Sequence, residues 1–128
     1  MLSQFPIHPS AAVSDLERTR AWYSEKLGVS PEMEDPGGLW YRFAGDTWLY
    51  LYTSTFAGTA RNTVAGWSVK DIETVMADLR SHGVVFDDYD FGEIKTVDGL
   101  VNFGPAKAAW FKDPDGNTFE LSEVMAAS

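Results

Sequence analysis

Residues 108–123, AAWFKDPDGNTFELSE, consist of two apolar runs on either side of a turn. In the turn, residues 113–117, proline fixes one backbone dihedral, glycine permits a positive φ, and the Asp and Asn side chains can bond to nearby amides. This pattern predicts a β-hairpin. Alternation on its second strand puts Phe119 and Leu121 on one face and Thr118, Glu120 and Ser122 on the other. A carboxylate among small polar side chains indicates either a solvent-exposed face or the wall of a binding site.

Segment 66–84 repeats the pattern of segment 11–29. Each segment reads as a short strand and then a helix that begins with acidic residues, which suits the positive end of the helix dipole, and stops at a glycine. The sequence therefore predicts two copies of one structural unit. The matched residues are Val13 with Val69, Asp15-Leu16-Glu17 with Asp71-Ile72-Glu73, and the helix stops Gly28 and Gly83.

Strand signals rather than a further helix follow each predicted helix. In the first copy, the aromatic runs 39–43 and 47–52 flank the turn Ala44-Gly45-Asp46, which predicts a hairpin. In the second copy, Val84-Val85-Phe86, a region around 94–103 and the two runs of the hairpin 108–123 take the same part. We therefore expect an α+β fold built from two βαβββ modules. The predicted organisation is a single domain over 1–128, with module 1 at about 5–54, a linker at 53–62 and module 2 at about 62–124.

Composition limits the partners that we expect for this chain. Its 128 residues, 45% of them hydrophobic and 14% aromatic, suffice for one folded domain with a sizeable core. A formal net charge of −9 disfavours nucleic acid and anionic membranes and favours a neutral or cationic small molecule. The absence of cysteine excludes disulfides, thiolate metal sites and a thiol nucleophile. Because the first residues lack a signal-peptide pattern and no apolar run approaches about 20 residues, we expect a cytoplasmic protein.

Two βαβββ modules, a helix entered through VSDLE (13–17) and an ending FKDPDGNxxEL (111–121) resemble the vicinal oxygen chelate superfamily. This superfamily includes glyoxalase I, extradiol dioxygenases and bleomycin-resistance proteins. The resemblance extends from about Phe5 to about Glu123. It implies that the two modules form a curved mixed sheet around a cavity and that the protein is a homodimer, since many members are. A fold of this kind does not by itself select a reaction.

The resemblance also implies four positions at which metal-dependent members place their ligands: His8, Tyr50, Val64 and Glu120. Only His8 and Glu120 are typical metal-binding side chains, whereas a divalent ion generally takes three or four protein ligands. A neutral phenol is a poor replacement for glutamate, and valine cannot coordinate. We therefore expect no cofactor. The alternative of a weakly bound divalent metal held by His8 and Glu120 stays open, since a loop could add a carboxylate from Asp88, Asp90 or Glu93.

Strand alternation indicates which side chains would line the implied cavity. Ala11 and Val13 would pack on the first helix, which leaves His8 and Ser10 on the opposite face. The same argument for strand 47–52 puts two leucines on the helix and three aromatic residues towards the cavity. Aromatic residues are also ordinary strand formers, and His8 also fits an exposed strand position. The candidate ligand-binding residues are Ser10, Trp48, Tyr50, Tyr52, Val64, Thr118 and Ser122, and the candidate catalytic residues are Glu120 and His8.

Three functions stay open at this point. The first is a metal-free binding protein of the bleomycin-resistance type, whose aromatic cavity sequesters a small planar or cationic molecule. The second is a lyase, isomerase or oxygenase of the glyoxalase or dioxygenase type with a reduced metal site. The third is a metal-free enzyme in which Glu120 acts as general base and His8 assists. Trp22, Trp40 and Phe56 are expected outside the cavity, where they offer apolar surface for a homodimer.

Overall fold

The computed structural model describes residues 1–124. Two short 3-10 helices accompany two α-helices and ten strands. The α-helices and strands are β1 (Ser10–Val13), α1 (Leu16–Leu27), β2 (Met33–Asp35), β3 (Gly38–Phe43), β4 (Thr47–Thr53), β5 (Thr63–Ser68), α2 (Ile72–Ser81), β6 (Asp90–Phe91), β7 (Ile94–Lys95), β8 (Val101–Asn102), β9 (Ala106–Lys112) and β10 (Thr118–Val124). The 3-10 helices are Leu2–Gln4 and Ala44–Asp46, and the second of them forms the predicted turn between β3 and β4.

The two modules have the same strand order. The first sheet runs β1-β4-β3-β2 and the second β5-β10-β9-β8. In each sheet the first strand pairs in parallel with the last strand of its module, and the remaining pairs are antiparallel. The predicted α+β fold of two repeated modules with mixed sheets is therefore confirmed.

Module 2 departs from the prediction between its helix and its last three strands. Val84-Val85-Phe86 is not a strand, because only Phe86 forms a bridge, to Phe111, while Val85 is 78% exposed. The small extra hairpin β6–β7 follows instead. The acidic residues 87–90 belong to a structured loop, in which Asp88 Oδ1 accepts hydrogen bonds from Thr96 Oγ1 at 2.8 Å and from Gly99 N at 2.8 Å.

One hydrophobic core joins the two modules. It contains the helix-facing side chains of both sheets, including Leu51 in module 1 and Leu121 in module 2. Tyr23 of α1 is fully buried between them, with its ring centroid 5.4 Å from that of Tyr41 and 6.2 Å from that of Phe119. Because this core takes up one face of each sheet, the opposite faces, which we call the outer faces, carry the half-buried and exposed side chains.

The turn 113–117 also ties module 2 to module 1, and we call it the intermodule turn. The carboxylate of Asp113 accepts hydrogen bonds from the hydroxyl of Tyr23 (2.8 Å) and from the Asn117 amide nitrogen (3.0 Å) through Oδ2. Its Oδ1 accepts from two backbone amides of the turn. Asp115 Oδ1 accepts from Ser14 Oγ at 2.7 Å and from the Arg18 guanidinium at 3.0 Å. The aspartates of the predicted hairpin turn therefore also bind the first helix, Asp115 at its start and Asp113 further along at Tyr23.

The two helix starts are satisfied in different ways. Asp15 caps α1 as predicted, accepting from the backbone amide of Arg18 at 3.1 Å. At α2 the side chain of Asp71 forms no such cap, and its φ of 54° is left-handed. The carboxylate of Glu123 accepts instead from the amides of Asp71 (2.7 Å) and Ile72 (3.1 Å). Neither helix of the described chain is long and apolar enough to cross a membrane.

Candidate functional site

The outer face of the first sheet carries four neighbouring aromatic side chains, which we call the module 1 wall: Trp40, Trp48, Tyr50 and Tyr52. The antiparallel register pairs Trp40 directly with Tyr50, so both point to the same face. Their rings stack with centroids 4.3 Å apart, and Tyr50 stacks in turn on Tyr52 at 5.8 Å. Trp48 meets Trp40 edge to face at 6.4 Å. Three of the rings are half-buried and Tyr52 is 36% exposed, so the wall is partly accessible to solvent.

The carboxylate of Asp35 holds this wall in position. Its Oδ1 accepts from the Tyr50 hydroxyl at 3.0 Å and from Gly37 N at 3.0 Å, and its Oδ2 accepts from the Trp40 indole nitrogen at 3.3 Å. Desolvation raises the pKa of Asp35, but these hydrogen bonds outweigh it and leave the pKa below its usual value. Desolvation and the Asp35 carboxylate both raise the pKa of Tyr50. At neutral pH the pair is therefore an ionised acceptor and a neutral phenol donor.

Gly38 makes room for the ring of Tyr50. A Cβ at position 38 would lie 2.6 Å from Cε1 and Cζ of Tyr50 and 2.6 Å from the carbonyl oxygen of Leu51. Gly38 is the first residue of β3 and is buried, so its role lies in this close approach. The position of Tyr50 thus depends on a carboxylate in β2 and a glycine in β3.

His8 and Ser10 lie beside the module 1 wall. The exposed ring of His8 contacts Trp40 edge to face, with centroids 4.8 Å apart. Ser10 is exposed and is the β1 partner of Tyr50. The guanidinium of Arg42 lies 5.7 Å from the ring centroid of Trp48. It also pairs with Glu32 at 3.4 Å and with Asp46 at 3.1 Å, so its charge is balanced by acids of its own module.

The outer face of the second sheet carries the counterpart, which we call the module 2 wall: Trp110, Glu120 and Ser122. Trp110 pairs directly with Glu120, and its indole nitrogen donates to Glu120 Oε2 at 3.1 Å. All three side chains are half-buried. On the other side of β10, Gly66 is the partner of Glu120, so no side chain covers the carboxylate from β5.

The two walls correspond position by position. Trp40 and Trp110 lie on the third strand of the main sheet in their modules, and Tyr50 and Glu120 lie opposite them on the fourth. In each wall the indole N–H donates to a carboxylate, Asp35 in module 1 and Glu120 in module 2. The repeat seen in the sequence therefore extends to a repeated pair of tryptophan and carboxylate.

The remaining predicted residues lie nearer the core. Val64 stands at an irregularity in the pairing of β5 with β10, where alternation is interrupted, and it packs against the core. Thr118 is 6% exposed. Within residues 1–124 no hydrogen bond, ion pair or ring contact joins His8 to Glu120, so each stays with its own wall. Their catalytic roles stay predictions.

Sequence reasoning missed three residues of module 1: Asp35, Gly38 and Trp40. Trp40 was expected outside the cavity, whereas its ring packs on Tyr50. The signal was available, because a hairpin turn at 44–46 fixes the register that pairs positions 40 and 50. For Asp35 the sequence contains no such signal. Its strand has only three residues, all of them exposed, so it shows no alternation of apolar and polar residues.

The residues at the four implied ligand positions do not fit a divalent metal. The Tyr50 hydroxyl donates to Asp35, Glu120 Oε2 accepts from Trp110, and Val64 has no donor atom. In the part of the chain that the structure describes, no group of three or more His, Cys, Asp or Glu side chains is placed to hold a metal ion. The Tyr50 phenol is thus engaged with an acceptor and one oxygen of Glu120 with a donor, and the set falls short of the three or four ligands that such an ion takes.

A cavity of about 230 Å³ lies next to Trp48, at the junction of the modules. It is lined mainly by apolar side chains, including Pro9 and Trp67. Ligand pockets commonly have about 300–1,000 Å³. This junction cavity is therefore small for a drug-sized compound, and neither Tyr50 nor Glu120 lines it.

Residues 6–121 match the family model of the Glyoxalase/Bleomycin resistance protein/Dioxygenase superfamily. No curated protein matches the chain.

Solved structures share the fold over nearly the whole chain. A glyoxalase family protein from Enterococcus faecalis has 24% identity and a TM-score of 0.71, covering 96% of this chain and 100% of its own. An antibiotic binding protein from a Streptomyces species has 26% identity and a TM-score of 0.69, covering 94% and 97%. A genomically encoded fosfomycin resistance protein from Listeria monocytogenes has 18% identity and a TM-score of 0.62, covering 93% and 92%.

Proposed function

Because the chain belongs to the glyoxalase/bleomycin resistance protein/dioxygenase superfamily, we propose that it binds a small aromatic or cationic molecule and sequesters it without a metal, as a cytoplasmic protein of the bleomycin-resistance type. One observation carries this proposal. The stacked rings of Trp40, Tyr50 and Tyr52 form an ordered aromatic cluster on the outer face of the first sheet, and hydrogen bonds from Tyr50 and Trp40 to Asp35 hold it in place. A surface that is ordered before binding loses less conformational entropy when a planar ligand stacks on it.

The chemistry of the wall suits a planar ligand. Tryptophan and tyrosine offer large apolar faces with polar tips, and their π-systems favour offset stacking. The similar antibiotic binding protein from the Streptomyces species, 26% identical, supports a binding function on this fold. Ser10, Val64, Thr118 and Ser122 complete the proposed set of ligand-contacting residues.

We place the complete site in a homodimer. Ligand sites bury about 70–90% of the surface of a drug-sized compound, whereas the module 1 wall covers only one side of a ligand. Within residues 1–124 no hydrogen bond, ion pair or ring contact connects the two walls. A second copy could lay its module 2 wall over the module 1 wall and bring His8 and Glu120 to the same ligand. The exposed ring of Phe56, at 74%, supplies further apolar surface for such contact.

A second candidate function, catalysis, is favoured by one feature of Glu120. Only Oε2 is hydrogen-bonded, to the indole of Trp110, so that among the described residues Oε1 has no partner and can accept a proton. A half-buried carboxylate with a free oxygen suits a general base. In this alternative Glu120 takes a proton from the bound compound and His8 assists.

Mass spectrometry of compounds retained during native purification tests the proposal. The wild type should retain a planar compound that Trp48→Ala and Tyr50→Ala lose, while Phe103→Ala, which changes an exposed aromatic residue outside both walls, should keep it. Retention of the same compound by all four proteins would rule out the wall as the site. Prolonged incubation then separates the two functions: an unchanged compound supports sequestration, and conversion that stops in Glu120→Gln supports catalysis.

Light scattering tests the assembly. We expect a homodimer at micromolar concentration, and ligand binding should lose affinity on dilution as the dimer dissociates. A monomer that binds its ligand with undiminished affinity would contradict the shared site.

A further inference from the structure

Asp35 carries a negative charge that no nearby cation neutralises. Its three hydrogen-bond donors, Tyr50, Trp40 and Gly37, are all neutral, and within residues 1–124 it forms no ion pair. The two arginines of this sheet region are engaged elsewhere. Arg20 pairs with Glu34 at 2.8 Å, and Arg42 pairs with Glu32 and Asp46. The module 1 wall therefore lies beside an uncompensated negative charge.

This charge also acts through the rings. The faces of aromatic rings are already negative and attract cations. A phenol and an indole that donate to a carboxylate are polarised further, so that electron density on Tyr50 and Trp40 increases. Because Tyr50 stacks on both Trp40 and Tyr52, a flat cation would stack on an outermost ring of the cluster, where it would meet the negative face of that ring and the field of the nearby carboxylate.

We propose that the module 1 wall selects planar organic cations over neutral and anionic rings of the same shape, and that Asp35 sets this selectivity. Asp35 has two roles here: it positions Tyr50 and Trp40, and it supplies the charge. The inference rests on the proposed function, because it concerns the ligand of the same wall.

The charge of the module 2 wall supports the same selectivity. Glu120 is held by the neutral indole of Trp110, and within the described chain it too forms no ion pair. The nearby Lys112 is paired with Asp87. In the proposed dimer the ligand would lie between two carboxylates, each bound to an indole, so an anionic ring would be repelled from both sides.

Three probes of one shape test the selectivity by isothermal titration calorimetry near pH 7.5: N-methylquinolinium, quinoline and quinoline-2-carboxylate, which are cationic, neutral and anionic. The wild type should bind the cation about tenfold more tightly than the neutral ring, and the anion most weakly. Asp35→Asn should reduce the preference for the cation over the neutral ring to about twofold. The matched control is Glu34→Gln. It removes a negative charge from the adjacent residue, which pairs with Arg20, and this variant should keep the wild-type preference for the cation.

Tyr50→Phe separates the two roles of Asp35. It removes one hydrogen bond to Asp35 but keeps the ring and the carboxylate, so the preference for the cation should persist. Equal binding of cation and neutral ring by the wild type would overturn the inference without any variant. An unchanged preference in Asp35→Asn, or an equal loss in Glu34→Gln, would overturn it as well. If none of the probes binds, or if Trp48→Ala and Tyr50→Ala bind them as tightly as the wild type does, the proposed function itself is contradicted, whatever the selectivity.

Discussion

The two modules share a strand order and a tryptophan–carboxylate pair but differ in where the carboxylate comes from. In module 2, Glu120 lies directly opposite Trp110 in the same hairpin. In module 1 that position holds Tyr50, and the carboxylate comes from Asp35 on the neighbouring strand β2. The backbone has thus kept its repeat while the side chains diverged: one wall became an aromatic surface and the other kept an acid with a free oxygen. Repetition of a fold does not imply repetition of chemistry.

The last turn of each module shows a second difference. The turn Ala44–Asp46 is exposed, and its Asp46 pairs with Arg42 of the same hairpin. The intermodule turn instead bonds through Asp113 and Asp115 to Tyr23 and Ser14 of the other module. The same place in the repeat is a surface turn in one module and a connection between modules in the other.

Asp113→Asn should have the largest effect on stability. All four groups that bond to the Asp113 carboxylate act as donors, and three of them are N–H groups that cannot accept, so the NH₂ group of asparagine would face at least one N–H donor in either orientation. We expect the free energy of unfolding to fall by about 2–4 kcal/mol in chemical denaturation. Asp46→Asn, at the equivalent turn, should change it by less than about 0.5 kcal/mol. Equal losses in the two variants would contradict the difference between the turns.

Gly38→Ala should have the next largest effect. The new Cβ would overlap Tyr50 and the Leu51 backbone, which we expect to cost about 1–3 kcal/mol and to displace the ring from the wall. Affinity for planar ligands should then fall about tenfold or more in a calorimetric titration. A comparison in module 2 is Gly66→Ala, whose Cβ would lie 3.1 Å from the carbonyl oxygen of Glu120, and its effect should be smaller. If Gly38→Ala binds ligand like the wild type, Tyr50 does not form the binding surface.

The hydroxyls of Tyr23 and Tyr41 should behave differently when removed. Tyr23 donates to Asp113 across the modules, whereas Tyr41 Oη is buried without a partner in the described chain. At neutral pH, Tyr23→Phe should lower the free energy of unfolding by about 1–3 kcal/mol and Tyr41→Phe by less than about 0.5 kcal/mol. Only Tyr23→Phe removes a hydrogen bond, because it takes a donor away from the Asp113 carboxylate. Denaturation curves for the two variants measure this directly, and a larger loss in Tyr41→Phe would reverse the expectation.

Tyr41 should also contribute to alkaline unfolding. Burial raises its pKa in the folded protein to about 12, from about 10 in an unfolded chain. Its contribution to stability is therefore complete below about pH 10 and is lost as the pH rises through 12. Tyr41→Phe should make the decline in melting temperature between pH 10 and 12 shallower than in the wild type. An identical decline would show that Tyr41 does not ionise on unfolding in this range.

The smallest effect is expected from metal removal. Because the ligand positions divide between a wall with Tyr50 and a wall with Glu120, neither offers a complete donor set. Protein purified without chelator should contain well under one equivalent of Zn, Ni, Fe or Mn, and EDTA should leave the melting temperature unchanged. Stoichiometric metal that disappears in Glu120→Gln would show that the walls cooperate as a metal site.

The sequence predicted the fold well because its signals are local. Turn residues, helix stops and strand alternation each depend on neighbours in the chain, and together they placed Trp48, Tyr50 and Tyr52 on one face. What it missed depends on contacts between distant residues. The sequence alone does not reveal that Asp113 bonds to Tyr23, 90 positions away, or that Glu123 caps a helix 51 positions earlier. Asp35 was missed for a related reason, because its short strand has a recognisable role only beside Tyr50.

The intermodule turn has a consequence for how the chain is made. Tyr23 is synthesised long before Asp113, and Ser14 precedes Asp115 by 101 positions. While the chain emerges from the ribosome, Tyr23 and Ser14 of module 1 thus lack the carboxylates to which they bond in the complete fold. We expect module 1 to fold only once nearly the last hairpin is made, because contacts this distant in sequence form slowly. Nascent chains that stop before residue 113 should therefore remain sensitive to protease even though every strand of module 1 is complete.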